Sequence, residues 1–244
     1  MKTGTITWNG KNSLTDLGVY VSGPGAHNAA EADVTAYQIP GRNGDLIVSN
    51  NRYKNITVTY PAFIPWGFST KEQGVRNWLR SSNGYETLED TYDTSHFRLG
   101  RPVGEVVFTP ARPDAATFEI AFDCMPQRFL TAGTSPVTIA STTVVTNPTD
   151  YDAKPLITVS SIAASAEIQV IGDDTFTLTA ATSYANTVVI DCETQNIYDP
   201  VTLDNKNDLF SLPDGFPVLT PGANTITVTG SVTSVSMEPR WWEL

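Results

Sequence analysis

Histidines and carboxylates are the side chains of this sequence that could perform acid–base chemistry. His27 lies in a Gly/Ala-rich loop and His96 begins a predicted strand, and no nucleophile-elbow motif accompanies either for a Ser-His-Asp triad. The 26 Asp and Glu residues leave a carboxylate pair of the glycosidase type open, because the spacing of such a pair is set in three dimensions. No pair stands out in the sequence, so we predict a protein that is not an enzyme.

Metal and cofactor chemistry has equally little sequence support. The run Asp204-Asn205-Lys206-Asn207-Asp208 places oxygen ligands at alternate positions, but a lysine occupies its centre and the turn glycine of a calcium loop is missing. There is no Cys/His cluster for zinc and no glycine-rich phosphate loop after a strand. We interpret the run as a solvated turn, with a metal loop as the alternative, and expect no cofactor.

The two cysteines and the charge narrow the class of protein further. Cys124 and Cys192 each lie in an alternating strand pattern and are interpreted as buried thiols, with a disulfide as the alternative.

A net charge of −11 and a pI near 4.5 argue against nucleic acid and anionic membranes as partners. No apolar run approaches the roughly 18 residues of a membrane span, and no signal-peptide core begins the chain. We expect synthesis in a cytoplasm.

The stretch from Tyr37 to Tyr60 has the pattern of an extended hairpin arm. Apolar residues alternate with polar ones over two predicted strands, 46–49 and 55–60, and Gly, Pro and Asn residues mark the reversals. A two-stranded ribbon is marginal alone, so an arm of this kind needs a partner surface; a meander within one domain is the alternative. The residues expected to form an oligomer interface along it are Tyr37, Ile39, Arg42, Leu46, Val48, Arg52, Tyr53, Ile56, Val58 and Tyr60.

The elements around this arm belong to the first of two predicted domains, residues 1–131. One helix is predicted over Ser69–Arg80 from a capping box, Ser69/Glu72 or Thr70/Gln73, and from the apolar stripe Val75, Trp78 and Leu79. Residues 26–33 are predicted to form a loop. Further strands are predicted at 4–8, 17–21, 85–89, 96–100, 104–109 and 117–124, the last with Phe118, Ile120, Phe122 and Cys124 on one face.

The second predicted domain, residues 132–244, is an all-β sandwich. Its composition shifts to Thr, Val, Ser and Ala, helical periodicity is absent, and Gly172-Asp173-Asp174 separates two alternating segments as a hairpin turn. Short strands separated by turns at regular spacing are typical of a sandwich. They are predicted at 156–160, 167–171, 175–179, 187–193, 196–201, 224–229 and 232–237.

Several short motifs, in a shared order along both halves, resemble the distal tail proteins (Dit) of siphovirus bacteriophages. In the first half they are Pro40-Gly41-Arg42-Asn43-Gly44-Asp45-Leu46, Arg52-Tyr53-Lys54-Asn55 and Pro126-Gln127-Arg128-Phe129. In the second half they are Asn147-Pro148-Thr149, Pro155-Leu156-Ile157, Ile190-Asp191-Cys192-Glu193, Phe216-Pro217, Leu219-Thr220-Pro221-Gly222 with Asn224, and Pro239-Arg240-Trp241.

The resemblance implies a structural role in a phage tail. The first domain would be a β-sandwich with one helix and a belt hairpin at about 37–60 that reaches onto the next subunit, so that six copies close a homohexameric ring. The ring would be the hub between the tail tube protein and the tail tip or baseplate protein of the virion. The second domain would be a galectin-like sandwich that points outward.

A receptor-binding or carbohydrate-binding tail module is the alternative function. Trp241 and Trp242 offer aromatic faces on which a cell-wall sugar could stack. Sugar-binding galectins use a histidine and arginines, whereas residues 132–244 contain no histidine and only Arg240. The competing interpretation of the two tryptophans is that they pack the C-terminus over the sandwich.

Overall fold

The computed structural model describes residues 3–23, 25 and 27–244 and shows a mostly β protein. The chain divides into two compact units, which we call the N-terminal unit (Met1–Arg128, with Leu244) and the C-terminal unit (Phe129–Glu243). Within the described residues there is one α-helix, so the predicted mostly β class with a single helix is confirmed.

The N-terminal unit is built from short antiparallel strands and the helix. In chain order its elements are β1 (Thr3–Gly4), β2 (Ile6–Trp8), β3 (Lys11–Asn12), β4 (Tyr20–Ser22), β5 (Ala32–Tyr37), β6 (Leu46–Tyr53), β7 (Ile56–Ile64), α1 (Phe68–Leu79), β8 (Glu86–Asp90), β9 (His96–Val103), β10 (Thr109–Arg112) and β11 (Ala115–Cys124).

One large sheet organises this unit, in the strand order β1-β4-β7-β11-β9-β8-β2-β3, with β10 also paired to β11. The longest ladder joins β7 to β11, from Ile56 opposite Cys124 to Ile64 opposite Ala116. Strands β5 and β6 stand outside this order and form a two-stranded sheet of their own.

The core of the N-terminal unit lies on one face of the central strands. Because successive side chains of a strand point to opposite faces, alternate residues are buried. They are Ile56, Val58, Tyr60, Ala62 and Ile64 on β7 and Phe118, Ile120, Phe122 and Cys124 on β11. The predicted buried face of β11 is therefore confirmed.

The helix closes this core with the three residues that the apolar spacing singled out. Val75, Trp78 and Leu79 are all buried. The Trp78 indole N–H donates to the carbonyl of Trp8 at 3.1 Å, and the Trp8 indole N–H donates to the carbonyl of Gly100 at 2.8 Å. Both buried rings thus satisfy their polar atom, as buried tryptophans usually do.

Both alternatives for the predicted capping box, Ser69/Glu72 and Thr70/Gln73, are wrong. The helix begins after Gly67, whose φ of 71° is left-handed, and no side chain of the N-cap residue accepts a hydrogen bond. Asp114, in the turn just before β11, takes this role: its carboxylate accepts the N–H of Gly67 at 2.9 Å and the N–H of Ser69 at 3.2 Å. These bonds hold the pKa of Asp114 below its usual value. The cap is therefore tertiary rather than local.

The C-terminal unit contains two five-stranded antiparallel sheets. Its strands are β12 (Arg128–Leu130, which begins at the division), β13 (Val137–Ile139), β14 (Thr142–Asn147), β15 (Leu156–Ile162), β16 (Glu167–Ile171), β17 (Thr175–Ala180), β18 (Tyr184–Asp191), β19 (Asn196–Tyr198), β20 (Phe210–Ser211), β21 (Gly222–Thr229), β22 (Val232–Glu238) and β23 (Trp242–Glu243). The sheet orders are β13-β22-β15-β18-β19 and β14-β21-β16-β17-β20.

The two sheets share one buried apolar cluster, which is the sandwich arrangement that the sequence predicts. Ile157, Val159 and Ile190 come from one sheet and Ile168 and Leu178 from the other, all fully buried. The predicted hairpin around Gly172 is confirmed, because Glu167–Ile171 pairs with Thr175–Thr179. A galectin-like topology stays a prediction.

The last residues of the C-terminal unit are fixed to the sandwich. Trp241 is buried in the apolar cluster, and its carbonyl accepts the N–H of Leu130 at 2.9 Å. A Cβ on Gly133 would stand 2.5 Å from the Trp241 nitrogen, so only glycine fits there. The Arg240 guanidinium donates to the Asp191 carboxylate at 2.7 Å.

Both cysteines are free and buried, Cys124 in the N-terminal unit and Cys192 in the C-terminal unit, so the disulfide alternative is wrong. Burial raises the pKa of each thiol to about 12. Neither sulfur is therefore a reactive thiolate at neutral pH.

Several predicted boundaries differ from the structure. In place of the predicted strand 104–109, the structure contains β10, which begins only at Thr109. Strands β13 and β14 were not predicted from the sequence. The predicted loop 26–33 ends in the first residues of β5, and its residue Ala26 lies outside the described part of the chain.

Candidate assembly surface

Strands β5 and β6 form a hairpin, here called the arm (Ala32–Tyr53), that stands apart from the main sheet. Tyr37 pairs with Leu46, Thr35 with Val48 and Val34 with Ser49 around the tip 38–45. All eight residues of β6 are exposed. An exposed two-stranded ribbon has unpaired edges and no core of its own, which makes it marginal in water.

The arm is rich in exposed apolar side chains. Of the fourteen exposed large apolar residues in the described chain, seven lie on it: Val34, Tyr37, Ile39, Leu46, Ile47, Val48 and Tyr53. Ile47 keeps 57% of its surface exposed and Tyr37 keeps 54%. Because Leu46, Ile47 and Val48 are consecutive, both faces of the ribbon are apolar. Contiguous apolar surface of this kind marks an interaction site.

Hydrogen bonds fix the root of the arm to the N-terminal unit. The Asn55 amide donates to the Tyr85 hydroxyl at 2.6 Å and to the Asp123 carboxylate at 3.0 Å, and Arg101 donates to the same carboxylate at 3.2 Å. Burial opposes ionisation of Asp123, but the bonds from Asn55, Arg101 and Tyr85 outweigh it and keep its pKa below the usual value. The base of the arm is therefore held to the unit by side-chain hydrogen bonds.

The predicted limits and pairing of the arm need correction. Its two strands are 32–37 and 46–53, whereas 55–60 belongs to β7 in the main sheet. Ile56, Val58 and Tyr60, which the sequence assigned to the interface, are buried in the core of their own unit. The reason is competition between partners, because β11 offers β7 a nine-residue ladder on a buried face.

The other predicted interface residues do lie on the arm. They are Tyr37, Ile39, Arg42, Leu46, Val48, Arg52 and Tyr53, all exposed, with Arg42 in the tip. Arg52 donates to the Asp33 carboxylate across the ribbon at 2.6 Å, which makes it a cross-strand brace as well as a surface cation. Sequence reasoning missed Val34, because β5 was not recognised as a strand, and Ile47, because the alternation places it on the face opposite Leu46 and Val48.

A groove of about 810 Å³ lies on the N-terminal unit. Pro61 and Phe63 of β7 form part of its wall, with Val107 from the segment before β10. The Phe63 ring stacks on Tyr20 at 5.3 Å between centroids. Two carboxylates, Glu105 and Glu119, also line it. The groove thus combines an apolar wall with acidic groups.

The structure places the two C-terminal tryptophans against the sandwich. Trp241 is only 6% exposed, so its ring is not available for stacking with a ligand. The Trp242 ring stacks on Tyr151 with centroids 4.5 Å apart, and its indole N–H donates to the carbonyl of Asp152 at 2.9 Å. The packing interpretation of this pair is the one that its contacts support.

The contacts of Asp93 and Ser95 with His96 do not have the arrangement of a catalytic triad. Both Asp93, at 2.9 Å, and Ser95, at 3.0 Å, contact the same ring nitrogen, Nδ1. A triad needs the acid on one nitrogen and the nucleophile on the other. Ser95 also donates to the Asp93 carboxylate at 2.6 Å, which marks a local turn.

No group of three or more His, Cys, Asp or Glu side chains within the described ranges is arranged to hold a metal ion. In the run 204–208, the Asn207 side chain accepts the N–H of Ile197 at 2.6 Å, and Asn205 donates to Asn196 at 2.9 Å. These bonds use the run to close a turn against β19. None of the helices in the described residues has the length and hydropathy of a transmembrane span.

Comparison with known proteins found likeness in structure and none in sequence. No model of a known protein family matches the chain, and no curated protein matches it. The crystal structure of the Dit protein of phage SPP1, described as a paradigm of the hub adsorption apparatus of phages that infect Gram-positive bacteria, superposes over 100% of both chains with a TM-score of 0.68 at 16% identity.

A second solved structure is similar over almost the whole length. It is the baseplate of phage P2 in its activated conformation with Ca, which covers 97% of both chains with a TM-score of 0.59 at 9% identity. At these identities the likeness concerns the fold. The chain thus has the fold of a phage Dit protein, which confirms the mostly β Dit-like fold expected from its sequence motifs, whereas the details of the two expected domains stay a prediction.

Proposed function

We propose that this protein is a structural component of a phage tail that assembles as a hexameric ring and joins the tail tube to the tip or baseplate. The whole-chain likeness to a hub adsorption protein and to a baseplate supports this role. The observation that carries the proposal is the exposed apolar arm, whose two strands pair only with each other in the described part of the chain. The protein would reside in the virion tail and act through position rather than catalysis.

A ring follows from the way an arm binds. An arm that docks on a different surface of an identical chain makes a head-to-tail contact, and such contacts close into a ring when the rotation between copies closes. Pairing of a ribbon edge with another sheet supplies backbone hydrogen bonds along its length. With eight residues at about 3.3 Å each, β6 alone extends for roughly 26 Å.

The groove on the N-terminal unit is a suitable receptor for the arm of the next copy. Its apolar wall matches Leu46, Ile47 and Val48, and its carboxylates Glu105 and Glu119 complement the cationic side chain of Arg42 at the arm tip. Charge complementarity of this kind favours the correct partner and orientation. A permanent interface would bury upwards of about 2,000 Å².

Truncation of the arm tests the proposal. In the variant, residues 36–47 are replaced by Asn-Gly, a sequence that forms a tight hairpin turn between Thr35 and Val48. We expect folded monomers, because the arm lies outside both cores and its removal leaves them intact. Size-exclusion chromatography with light scattering, followed by native mass spectrometry, measures the mass of the wild-type and truncated particles.

A matched pair of point variants separates arm contacts from general surface effects. Ile47→Asp places a charge on an arm residue that is 57% exposed, and Val144→Asp places the same charge on a residue of the C-terminal unit that is 60% exposed. We expect Ile47→Asp to weaken self-association at least ten-fold and Val144→Asp to leave it unchanged. If the truncated chain retained the wild-type oligomeric mass, the arm would not be the element that holds the copies together.

A further inference from the structure

The sequence contains three Asn-Gly pairs, Asn9-Gly10, Asn43-Gly44 and Asn83-Gly84, all in the N-terminal unit. In such a pair the backbone nitrogen of the glycine can attack the side-chain carbonyl carbon of the asparagine, which closes a five-membered ring. A side chain on the attacking residue would crowd this approach, and glycine has none. Asparagine is accordingly one of the chemically labile residues of proteins.

The pair at the tip of the arm is the one whose surroundings leave this attack open. Asn43 and Gly44 are both exposed, and they lie in the tip 38–45, outside the ladder of β5 and β6. A Cβ built on Gly44 would meet no atom within 4 Å. Within the described part of the chain, neither the Asn43 carboxamide nor the Gly44 N–H forms a hydrogen bond. Both reacting groups are therefore free to approach each other.

Each of the other two pairs has one reacting group held in a hydrogen bond. The Gly84 N–H, which must lose its proton before the nitrogen attacks, donates to the Ser82 hydroxyl at 3.1 Å. The Asn9 carboxamide donates to the Ser81 hydroxyl at 3.1 Å, and the Asn9 N–H donates to the carbonyl of Thr87 at 3.3 Å. Ring closure at these two pairs must first break such bonds, which adds to its barrier.

We propose that Asn43 is a site of spontaneous deamidation. The Gly44 nitrogen, after losing its proton to solvent, forms a bond to Cγ of Asn43. The Cγ–Nδ2 bond then breaks, and the leaving group takes up a proton and departs as ammonia. One water molecule opens the resulting succinimide by adding to either of its carbonyl carbons. The product has an aspartyl or an isoaspartyl residue at position 43, so the net reaction consumes one water and releases one ammonia.

The reaction changes the charge of the arm tip. Arg42 and Asp45 are the charged residues of the tip 38–45, so its formal charge falls from 0 to −1. If the arm docks in the groove proposed above, the new carboxylate meets Glu105 and Glu119, and like charges oppose docking. Deamidation then limits how long an unassembled chain keeps its ability to assemble. This consequence rests on the proposed function, whereas the reaction itself does not.

Peptide mapping of the unaltered full-length chain tests the site. Dilute protein is incubated at mildly alkaline pH in heavy-oxygen water and then digested in ordinary water, so that only carboxyl groups formed during the incubation carry the label. Tandem mass spectrometry measures the label at each asparagine. We expect Asn43 to convert at least about ten-fold faster than Asn9 and Asn83, because no hydrogen bond has to break. A rate at Asn43 no higher than at Asn9 or Asn83 would overturn the proposal.

A matched pair of tip variants separates the attacking nitrogen from a general change in the tip. Gly41 and Gly44 have φ values of 81° and 83°, and a Cβ on either would meet no atom within 4 Å. Gly44→Ala places a methyl group beside the attacking nitrogen and should slow the conversion of Asn43 at least about ten-fold, whereas Gly41→Ala should leave it unchanged. Equal rates in the two variants would contradict attack by the Gly44 nitrogen.

The effect on assembly is measured separately, by light scattering on fresh and aged samples. Self-association of the wild type should weaken as Asn43 converts, and Asn43→Gln, whose longer side chain would have to close a larger ring, should keep its self-association. Aged wild-type chains that associate as tightly as fresh ones would overturn the effect on assembly. Fresh wild-type chains that do not associate would overturn the proposed ring instead, while the conversion rates decide the modification site independently.

Discussion

The ion pair of Asp191 and Arg240 fixes the C-terminal segment to the sandwich. Burial disfavours the charged carboxylate, but the hydrogen bond and the positive charge of Arg240 outweigh burial and keep the pKa of Asp191 below its usual value. A carboxyl whose pKa is depressed by folding stabilises the protein at pH values above its unfolded pKa, near 4. That contribution is lost as the pH falls through the folded pKa.

We therefore predict that Arg240→Met lowers the free energy of unfolding of the C-terminal unit by about 1–2 kcal/mol at pH 7. The difference from wild type should begin to shrink as the pH falls below about 4 and should disappear once the pH lies below the lowered pKa of Asp191 in the folded protein. Urea unfolding at pH 7 and pH 3 measures both effects. Lys154→Met is the control, because the pair of Lys154 with Glu193 is exposed and contributes about 0–1 kcal/mol.

A difference between the two variants that stayed the same at both pH values would contradict this account. It would mean that Arg240 stabilises the segment through packing of its aliphatic stem rather than through its charge.

At the scale of elements, we expect the substitution of alanine for glycine to have opposite effects on stability at Gly67 and Gly74, two glycines of the helix region. Gly67 precedes the helix with φ 71°, a conformation that alanine adopts only with strain, so Gly67→Ala should destabilise the N-terminal unit by about 1 kcal/mol. Gly74 lies inside the helix, and a Cβ there meets only a Leu17 methyl at 3.6 Å, an ordinary contact. Gly74→Ala should therefore stabilise the unit by up to about 1 kcal/mol.

Chemical denaturation of the two variants beside wild type checks this prediction. Shifts of the same sign in both variants would show that the backbone conformation at Gly67 is not what distinguishes the two sites.

The helix shows which local features could be predicted from the sequence. The spacing of Val75, Trp78 and Leu79 predicted both its position and its buried face, because that spacing is a local property. The start of the helix could not be predicted in the same way. Its cap is Asp114, 45 residues away from the Ser69 whose N–H it accepts, and no pattern near Ser69 reveals it.

The sequence predicted that an arm is present, but it did not predict which two strands pair to form it. The sequence pattern indicates a two-stranded apolar ribbon with turns, and the structure has such a ribbon outside the main sheet. The alternation in β7 is the same whether that strand lies in an arm or in a sheet, and only the ladder to β11 decides between them. Strand β5 was missed because alanines at 32 and 36 weaken its alternation.

At the scale of the whole molecule, the negative charge is concentrated in one unit. The C-terminal unit has only three basic residues, Lys154, Lys206 and Arg240, against thirteen acidic ones, whereas the N-terminal unit has twelve basic and thirteen acidic residues. The formal charges are thus −10 and −1. Because like charges repel, the nearly neutral N-terminal unit would meet a copy of itself at a smaller electrostatic cost than the C-terminal unit would.

Limited proteolysis should report whether assembly covers the arm. Arg42 lies in the exposed arm tip and is a ready site for trypsin. We predict that cleavage after Arg42 slows more than ten-fold when the protein concentration rises from the monomeric to the assembled range. Mass spectrometry of the fragments over time measures the rate.

Cleavage after Lys206, in a surface turn of the C-terminal unit, serves as the internal control and should keep its rate. An unchanged rate at Arg42 in assembled particles would show that the arm stays exposed after assembly.

Each of the two units contains one buried thiol, whose reactivity can report the opening of that unit. Since Cys124 and Cys192 sit in separate cores, a thiol-reactive dye can label each only after that core opens. Peptide mapping of the dye then yields two independent opening rates from a single sample, without any engineered label. If ring formation stabilises the half that carries the arm, labelling of Cys124 should slow on assembly while labelling of Cys192 continues as before.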